Sequence, residues 1–170
     1  QLGVAAAFDP DIAVRRQWLS EFRNRASFAH QVGCQCVGLW PGGGLRGQTI
    51  NQAIRSLAGS FREAAKIAAD FGLQPAFELE PPFVFNTQDH LLKILHEAAS
   101  PNLKTIYDPS HFDLMNGSQG CPHEMLQRIG VQNIGYVHLT DTDGTLRDGG
   151  TSKHLACGDG HARIPESLDV

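Results

Sequence analysis

The sequence predicts an α/β fold of parallel βαβ units, either a doubly wound sheet or a stretch of a (β/α)8 barrel. Three observations predict it. Short apolar runs alternate with longer stretches of helical periodicity, turn-forming residues separate the two, and charged side chains recur near the carboxyl ends of the apolar runs. With 170 residues, of which 41% are hydrophobic and 19% charged, the chain is long enough for one sizeable core, so residues 1–170 are expected to form a single domain.

Leu2–Phe8 is a short apolar run closed by Asp9-Pro10, which predicts a strand. Residues 12–32 carry Trp18, Phe22, Ala26 and Ala29 at helical spacing, so an amphipathic helix comes next. "CQCVGLW" (34–40) reads as a buried strand that includes Cys34 and Cys36. A glycine-rich turn then leads to a helix through Ile54, Leu57, Phe61, Ala65 and Ala68 that Gly72 ends. "QPAFELE" (74–80) begins with a proline tolerable only at a strand start, and Thr87 caps a helix reaching Ala99 before Pro101. "LKTIYD" (103–108) and "IGYVHLT" (134–140) are further strands, separated by a short helix near 122–129. Asp108-Pro109-Ser110 reads as a turn, as does "GDGH" at 158–161, while Gly42-Gly43-Gly44 lacks the partners of a phosphate loop and reads as a flexible loop beside the site.

Composition excludes several classes. The formal net charge is −4 and no segment collects Lys or Arg, so the basic footprint of a nucleic-acid or anionic-membrane binder is missing. A small solute is the expected partner. No apolar run reaches the roughly 20 residues a membrane helix needs. Four cysteines without CxxC pairing predict reduced thiols and a cytoplasmic address. No Gly-x-Ser-x-Gly elbow accompanies Ser110, and His30, His90, His96 and His123 fall in helices or helix starts, where surface or structural roles are expected.

Strands of a parallel sheet are buried on both faces, so a charged residue within one costs several kcal/mol unless it is paired or ligates metal. Glu80, Asp108 and His138 each stand at or near a strand end, with separations of 108 − 80 = 28 and 138 − 108 = 30 residues, about one βα unit. Alone, Glu80 could be a solvated residue, Asp108 a turn former and His138 a core histidine. Together, two carboxylates and an imidazole on one rim suit Mn²⁺, Mg²⁺, Co²⁺ or Zn²⁺. Glu78, two residues before Glu80, is a rival ligand on the same side.

"ELEPPFVFNT", "YDPSHFD", "GYVHLTDTDG" and "HLACGDGHARIP" together resemble the xylose-isomerase-like TIM-barrel superfamily, the sugar phosphate isomerase/epimerase group that also contains endonuclease IV. The resemblance spans nearly the whole chain. It implies a (β/α)8 TIM barrel that is incomplete here, with strands three to seven present and the first two and the last missing. It implies metal ligands Glu80, Asp108 and His138, catalytic roles for Glu80 as acid/base and for His111, and His111 as a substrate-hydroxyl contact or second metal ligand. A fourth ligand, a Glu on the last strand, is expected beyond Val170; Glu166 follows Pro165 in the first turn of a helix and is not that residue. Where endonuclease IV members have His-Pro-Gly, this chain has Trp40-Pro41-Gly42, and Ser152-Lys153-His154 replaces their Asp-x-His. One ion is therefore expected rather than three, and DNA repair is disfavoured.

The implied activity is a divalent-metal-dependent isomerase or epimerase acting on a keto sugar by enediolate proton transfer. Trp40 would pack on the sugar, and Arg147, Lys153 or His154 would meet a carboxylate or phosphate. The alternatives are a related lyase such as an inosose dehydratase, or a catalytically silent sugar-binding remnant. The resemblance leaves a homo-oligomer open.

Overall fold

The computed structural model describes residues 6–170. After a 3₁₀ turn at Ala6–Phe8, the chain forms α1 (Ile12–Gln31), β1 (Cys36–Leu39), α2 (Ile50–Asp70), β2 (Gln74–Phe77) and α3 (Gln88–Ala98). It continues through β3 (Lys104–Tyr107), α4 (Pro109–Met115), α5 (Pro122–Ile129), a 3₁₀ turn at Val131–Asn133, β4 (Ile134–Val137) and α6 (Ile164–Leu168). Among the described residues, the four strands form one parallel sheet in the order β1-β2-β3-β4. A doubly wound sheet reverses its strand order at a switch point, whereas sequential order is that of a barrel wall, so the topology decides between the two expected architectures.

The expected strand at Leu2–Phe8 falls partly outside the described residues, which begin at Ala6. Its end, Ala6–Phe8, is a 3₁₀ turn and not a strand, because Asp9-Pro10-Asp11 turns the chain at once into α1. Asp11 caps that helix by accepting the Ala13 N–H, and Asp9 accepts the Asp11 N–H. The strand expected at 34–40 is shorter than its apolar run. Cys34 is exposed, since its N–H bonds back to the Ala29 carbonyl and so completes the C-terminal turn of α1. The Asp108-Pro109-Ser110 turn proves to be the opening of α4. Asp108 is the N-cap, accepting the Ser110 and His111 N–H groups, and Pro109 occupies the first helical position.

Two helices show how local sequence sets boundaries. Thr49 and Gln52 make a reciprocal capping box at the start of α2, and Ala53, Ile54, Leu57, Phe61, Ala64, Ala65 and Ala68 form its buried face. Thr87 caps α3. Helices α1, α2 and α3 cover one face of the sheet, where Leu39, Phe77 and Tyr107 join a core with Trp18, Phe22, Phe61 and Phe85. Residues of opposite parity, including Cys36, Gly38, Gln74, Ile106 and Tyr136, line the other face, which opens into a cavity of about 600 Å³ that also reaches Trp40 and His138. Among the described residues no helix is long and apolar enough to cross a membrane.

Candidate metal centre

Trp40, Glu78, Asp108 and His138 are each the first residue past β1, β2, β3 and β4 respectively. All four continue the parity of the face that the helices do not cover. The ladder extends far enough to anchor two of them, because the Glu78 N–H bonds to the Leu39 carbonyl and the His138 N–H to the Tyr107 carbonyl. Their backbones are held by the sheet while their side chains project from its carboxyl end.

These side chains converge. The buried Glu78 carboxylate has Oε1 2.8 Å from His138 Nδ1 and 3.7 Å from His111 Nε2, while Oε2 accepts a 2.7 Å hydrogen bond from Trp40 Nε1. The Asp108 carboxylate, fully buried, divides its labour between two oxygens. Oδ1 accepts from the Ser110 and His111 N–H groups and from the Thr140 hydroxyl at 3.0 Å. Oδ2 is buried without a hydrogen-bond partner and faces three imidazole nitrogens: His154 Nε2 at 3.5 Å, His111 Nε2 at 3.7 Å and His138 Nδ1 at 3.9 Å. His154 Nε2 is likewise buried and unpartnered.

That arrangement fits a cation. A buried carboxylate oxygen left without a donor costs several kcal/mol, and a divalent ion among these donors would satisfy it. Glu78, Asp108 and His138 offer ligand atoms within 4.8 Å of one another, as do Asp108, His111 and His154, and Glu78, Glu80 and His111. Two carboxylates with imidazoles form a mixed O/N donor set suited to Mn²⁺, Co²⁺ or Zn²⁺.

The loop after β4 supplies the remaining residues. Ser152, buried, lies with Oγ 2.5 Å from His111 Nδ1 and so turns Nε2 of that ring toward both carboxylates. Antiparallel bridges Asp141–Leu155 and Leu146–Ser152 fold the loop back and bring Ser152 and His154 to the centre. Asp141 organises its far end. Burial raises the pKa of this carboxyl, but hydrogen bonds from the Gly158, Thr142, Gly160 and Ala162 N–H groups outweigh that and hold it below the usual carboxylate value. Gly160 is required there, since a Cβ would lie 2.3 Å from Asp141 Oδ1. The "GDGH" segment is thus a clamped turn. A charged partner also shifts Asp143, whose carboxyl is held down to about 2 chiefly by the hydrogen bond from Lys153 at 2.5 Å.

The residues singled out in the sequence are therefore distributed unevenly. Asp108, His111, His138 and His154 come together. Glu78 joins Asp108 and His138 in one group, whereas Glu80 groups with Glu78 and His111, half-buried, with Oε2 accepting from Thr151 Oγ1 at 2.9 Å. The reason is that β2 ends at Phe77, three residues sooner than its apolar pattern suggests, so Glu78 and not Glu80 takes the first position off the strand. Trp40 is half-exposed beside Glu78, Arg147 is exposed with its guanidinium donating to the His154 carbonyl, and Lys153 is engaged by Asp143. Sequence reasoning missed Ser152, Thr140 and Asp141. Spacing alone could have favoured Glu78, because 108 − 78 = 30 matches 138 − 108 = 30.

A separate group, Cys121, His123 and Glu124, lies within 4.8 Å at the start of α5. His123, expected to be surface or structural, has Nδ1 buried and unpartnered. The positive end of the helix dipole opposes a cation there.

Known proteins share this architecture. The family model described as xylose isomerase-like TIM barrel matches residues 4–169, and the chain belongs to that family. Its α/β fold is accordingly that of a TIM barrel, in part. Among solved structures, a D-tagatose 3-epimerase-like protein is 24% identical with a TM-score of 0.77, covering 99% of this chain and 62% of its own. The IOLI protein with a bound zinc atom is 21% identical with a TM-score of 0.79, covering 98% and 59%. A D-psicose 3-epimerase from Clostridium cellulolyticum H10, solved with D-tagatose, is 17% identical with a TM-score of 0.70, covering 97% and 54%. The chain thus spans between half and two thirds of the length of these neighbours. No curated protein matches it.

Proposed function

We propose that this chain carries the metal-binding part of an isomerase or epimerase site that acts on a keto sugar or sugar derivative, as part of one TIM-barrel domain. The observation that carries the reading is Asp108 Oδ2, a fully buried carboxylate oxygen with no donor and three imidazole nitrogens within 3.9 Å. Glu78, Asp108 and His138 would hold one divalent ion of the Mn²⁺, Mg²⁺, Co²⁺ or Zn²⁺ type. When bound, such an ion polarises a carbonyl and its neighbouring hydroxyl, easing loss of the proton between them.

The chain's own residues supply the rest. Glu78 takes the ligand role that the family resemblance implied for Glu80, since it shares a group with Asp108 and His138. Glu80 keeps the acid/base role. Its Oε2 accepts from Thr151, which leaves Oε1 to receive the substrate proton. Glu80 removes the proton from one face. Protonation of the same carbon from the opposite face, by the Glu that the family resemblance implies on the last barrel strand, gives epimerisation. Return from Glu80 to the same face of the neighbouring carbon, with a proton passing between the two substrate oxygens, gives isomerisation. His111, steadied through Nδ1 by Ser152, presents Nε2 to a substrate hydroxyl. The Trp40 ring offers an aromatic face to the C–H surface of a sugar. Arg147 is the loop cation available for an anionic substituent, because Lys153 is paired with Asp143 and His154 turns toward Asp108. A formal net charge of −4 and the absence of any Lys/Arg run in the sequence argue against a nucleic-acid or membrane partner.

The test is to incubate the protein with Mn²⁺, Co²⁺, Mg²⁺ or Zn²⁺ and a panel of ketoses and inososes in D₂O. Deuterium uptake at the carbon next to the carbonyl is the expected result. Exchange with none of them would favour the silent sugar-binding reading.

A further inference from the structure

We infer that Trp40 is a positioning residue for the metal centre: its indole N–H occupies one oxygen of Glu78, making that carboxylate a single-oxygen ligand, and Gly38 provides the seat for the ring. The inference rests on the reading of Glu78, Asp108 and His138 as metal ligands. The division of hydrogen bonds at Glu78 carries it. Oε2 accepts from Trp40 Nε1 at 2.7 Å, whereas Oε1 faces His138 Nδ1 at 2.8 Å and His111 Nε2 at 3.7 Å. One oxygen is thus turned to the ligand cluster and the other is held away from it.

The donor is suited to that task. An indole N–H can only donate and carries no charge, so it stabilises an ionised carboxylate without competing for a cation as an imidazole would. Asp108 shows the same division, with Oδ1 saturated by three donors and Oδ2 turned to the imidazoles. Both carboxylates therefore enter the centre through one oxygen each. Ca²⁺ favours six to eight oxygens and often a bidentate carboxylate, whereas Zn²⁺ and Mn²⁺ accept single-oxygen carboxylates with imidazole nitrogen. The Trp40 bond thus selects against the larger ion.

The ring's position depends on Gly38. A Cβ on Gly38 would lie 2.7 Å from the Trp40 ring, so any side chain there would push the indole off its seat. Gly38 is not in the left-handed region, so alanine is tolerable to the backbone. Gly38→Ala therefore perturbs the ring without removing it, independently of Trp40→Phe.

The experiment measures Mn²⁺ and Ca²⁺ affinity by chelator competition for the wild-type protein, Trp40→Phe and Gly38→Ala, with thermal melts to establish folding. Outer partners of metal ligands commonly contribute 10- to 100-fold in affinity. Both variants are expected to bind Mn²⁺ about 10- to 100-fold more weakly and to narrow the Mn²⁺/Ca²⁺ ratio. In a Trp18→Phe background, which leaves Trp40 as the only indole of residues 1–170, the emission should change when Mn²⁺ binds and should respond less in Gly38→Ala. Folded variants that keep wild-type Mn²⁺ affinity and discrimination would overturn the inference while leaving the metal reading intact. A folded wild-type protein that binds no divalent ion would overturn both.

Discussion

Replacing Asp108 by Asn separates the two roles that its oxygens play. In Asp108→Asn the amide oxygen can still accept from the Ser110 and His111 N–H groups and from Thr140, so the cap of α4 survives; Asn and Asp are nearly equivalent N-caps. The other atom changes from an unpartnered acceptor to a donor. It faces His154 Nε2 at 3.5 Å, itself buried and unpartnered, so one new hydrogen bond can relieve two unsatisfied groups. Leaving a buried polar group unsatisfied costs about 1–3 kcal/mol, so the new bond gains about 2–6 kcal/mol across its two ends. The lost charge–dipole attraction at the helix start and the weaker acceptance of three hydrogen bonds by a neutral amide oxygen together cost about 1–4 kcal/mol. The balance favours the variant by about 1–2 kcal/mol without metal, or roughly 2–8 °C in Tm for a chain of this size. With divalent metal the order should invert. A ligand at one hundred times its Kd stabilises the wild-type protein by about 2.7 kcal/mol, and the variant should lose most of that. Differential scanning calorimetry in chelator and in excess Mn²⁺ reads both arms. A variant less stable than wild type in chelator, together with a wild-type Tm that ignores every divalent ion, would refute the reasoning.

The same geometry sets other outcomes. Glu78→Gln should weaken Mn²⁺ binding by more than about 100-fold, and Glu80→Gln by less than about tenfold while abolishing proton exchange; chelator competition and D₂O incorporation check the two halves separately. Asp141→Asn should destabilise the protein by about 2 kcal/mol at pH 7, because the carboxylate accepts four backbone N–H groups. As its folded pKa lies below the ordinary 3.8, that contribution is present above pH 3.8 and disappears as the pH falls through the folded value, so denaturant midpoints of variant and wild type should converge in acid. Tyr107 is pushed up to about 12, mainly by burial, while its hydroxyl lies 2.6 Å from Ser167 Oγ. Its neutral form is favoured in the fold, so stability present below pH 10 should decline by about 2–3 kcal/mol between pH 10 and 12, and Tyr107→Phe should remove that dependence in urea titrations.

Most of the secondary structure was legible because it is written in local patterns. The 3.6-residue spacing of Trp18, Phe22 and Ala26, the Thr49 and Thr87 caps, and the stops at Gly72 and Pro101 each act within a few residues. Helix α4 was not legible, since Asp-Pro-Ser opens a turn and a helix equally well, and continuation beyond the first turn depends on Phe112 finding the core. The ends of β1 and β2 were also obscured, because apolar runs continue past the last residue that pairs.

The sequence by itself determined the alternation of strands and helices, the recurrence of a polar residue at intervals of about 30, and the family to which the chain belongs. Only the tertiary structure decided that the strands lie in sequential order, that Glu78 and not Glu80 is the first residue off β2, and that Ser152 and His154 return to the Asp108–His111 segment from 40 or more residues away. The physical reason is the difference in range. Helix periodicity and capping act over three or four residues, whereas the orientation of a carboxylate or an imidazole is set by donors such as Trp40, Thr140 and Ser152 that reach it only when the sheet and its loops are assembled.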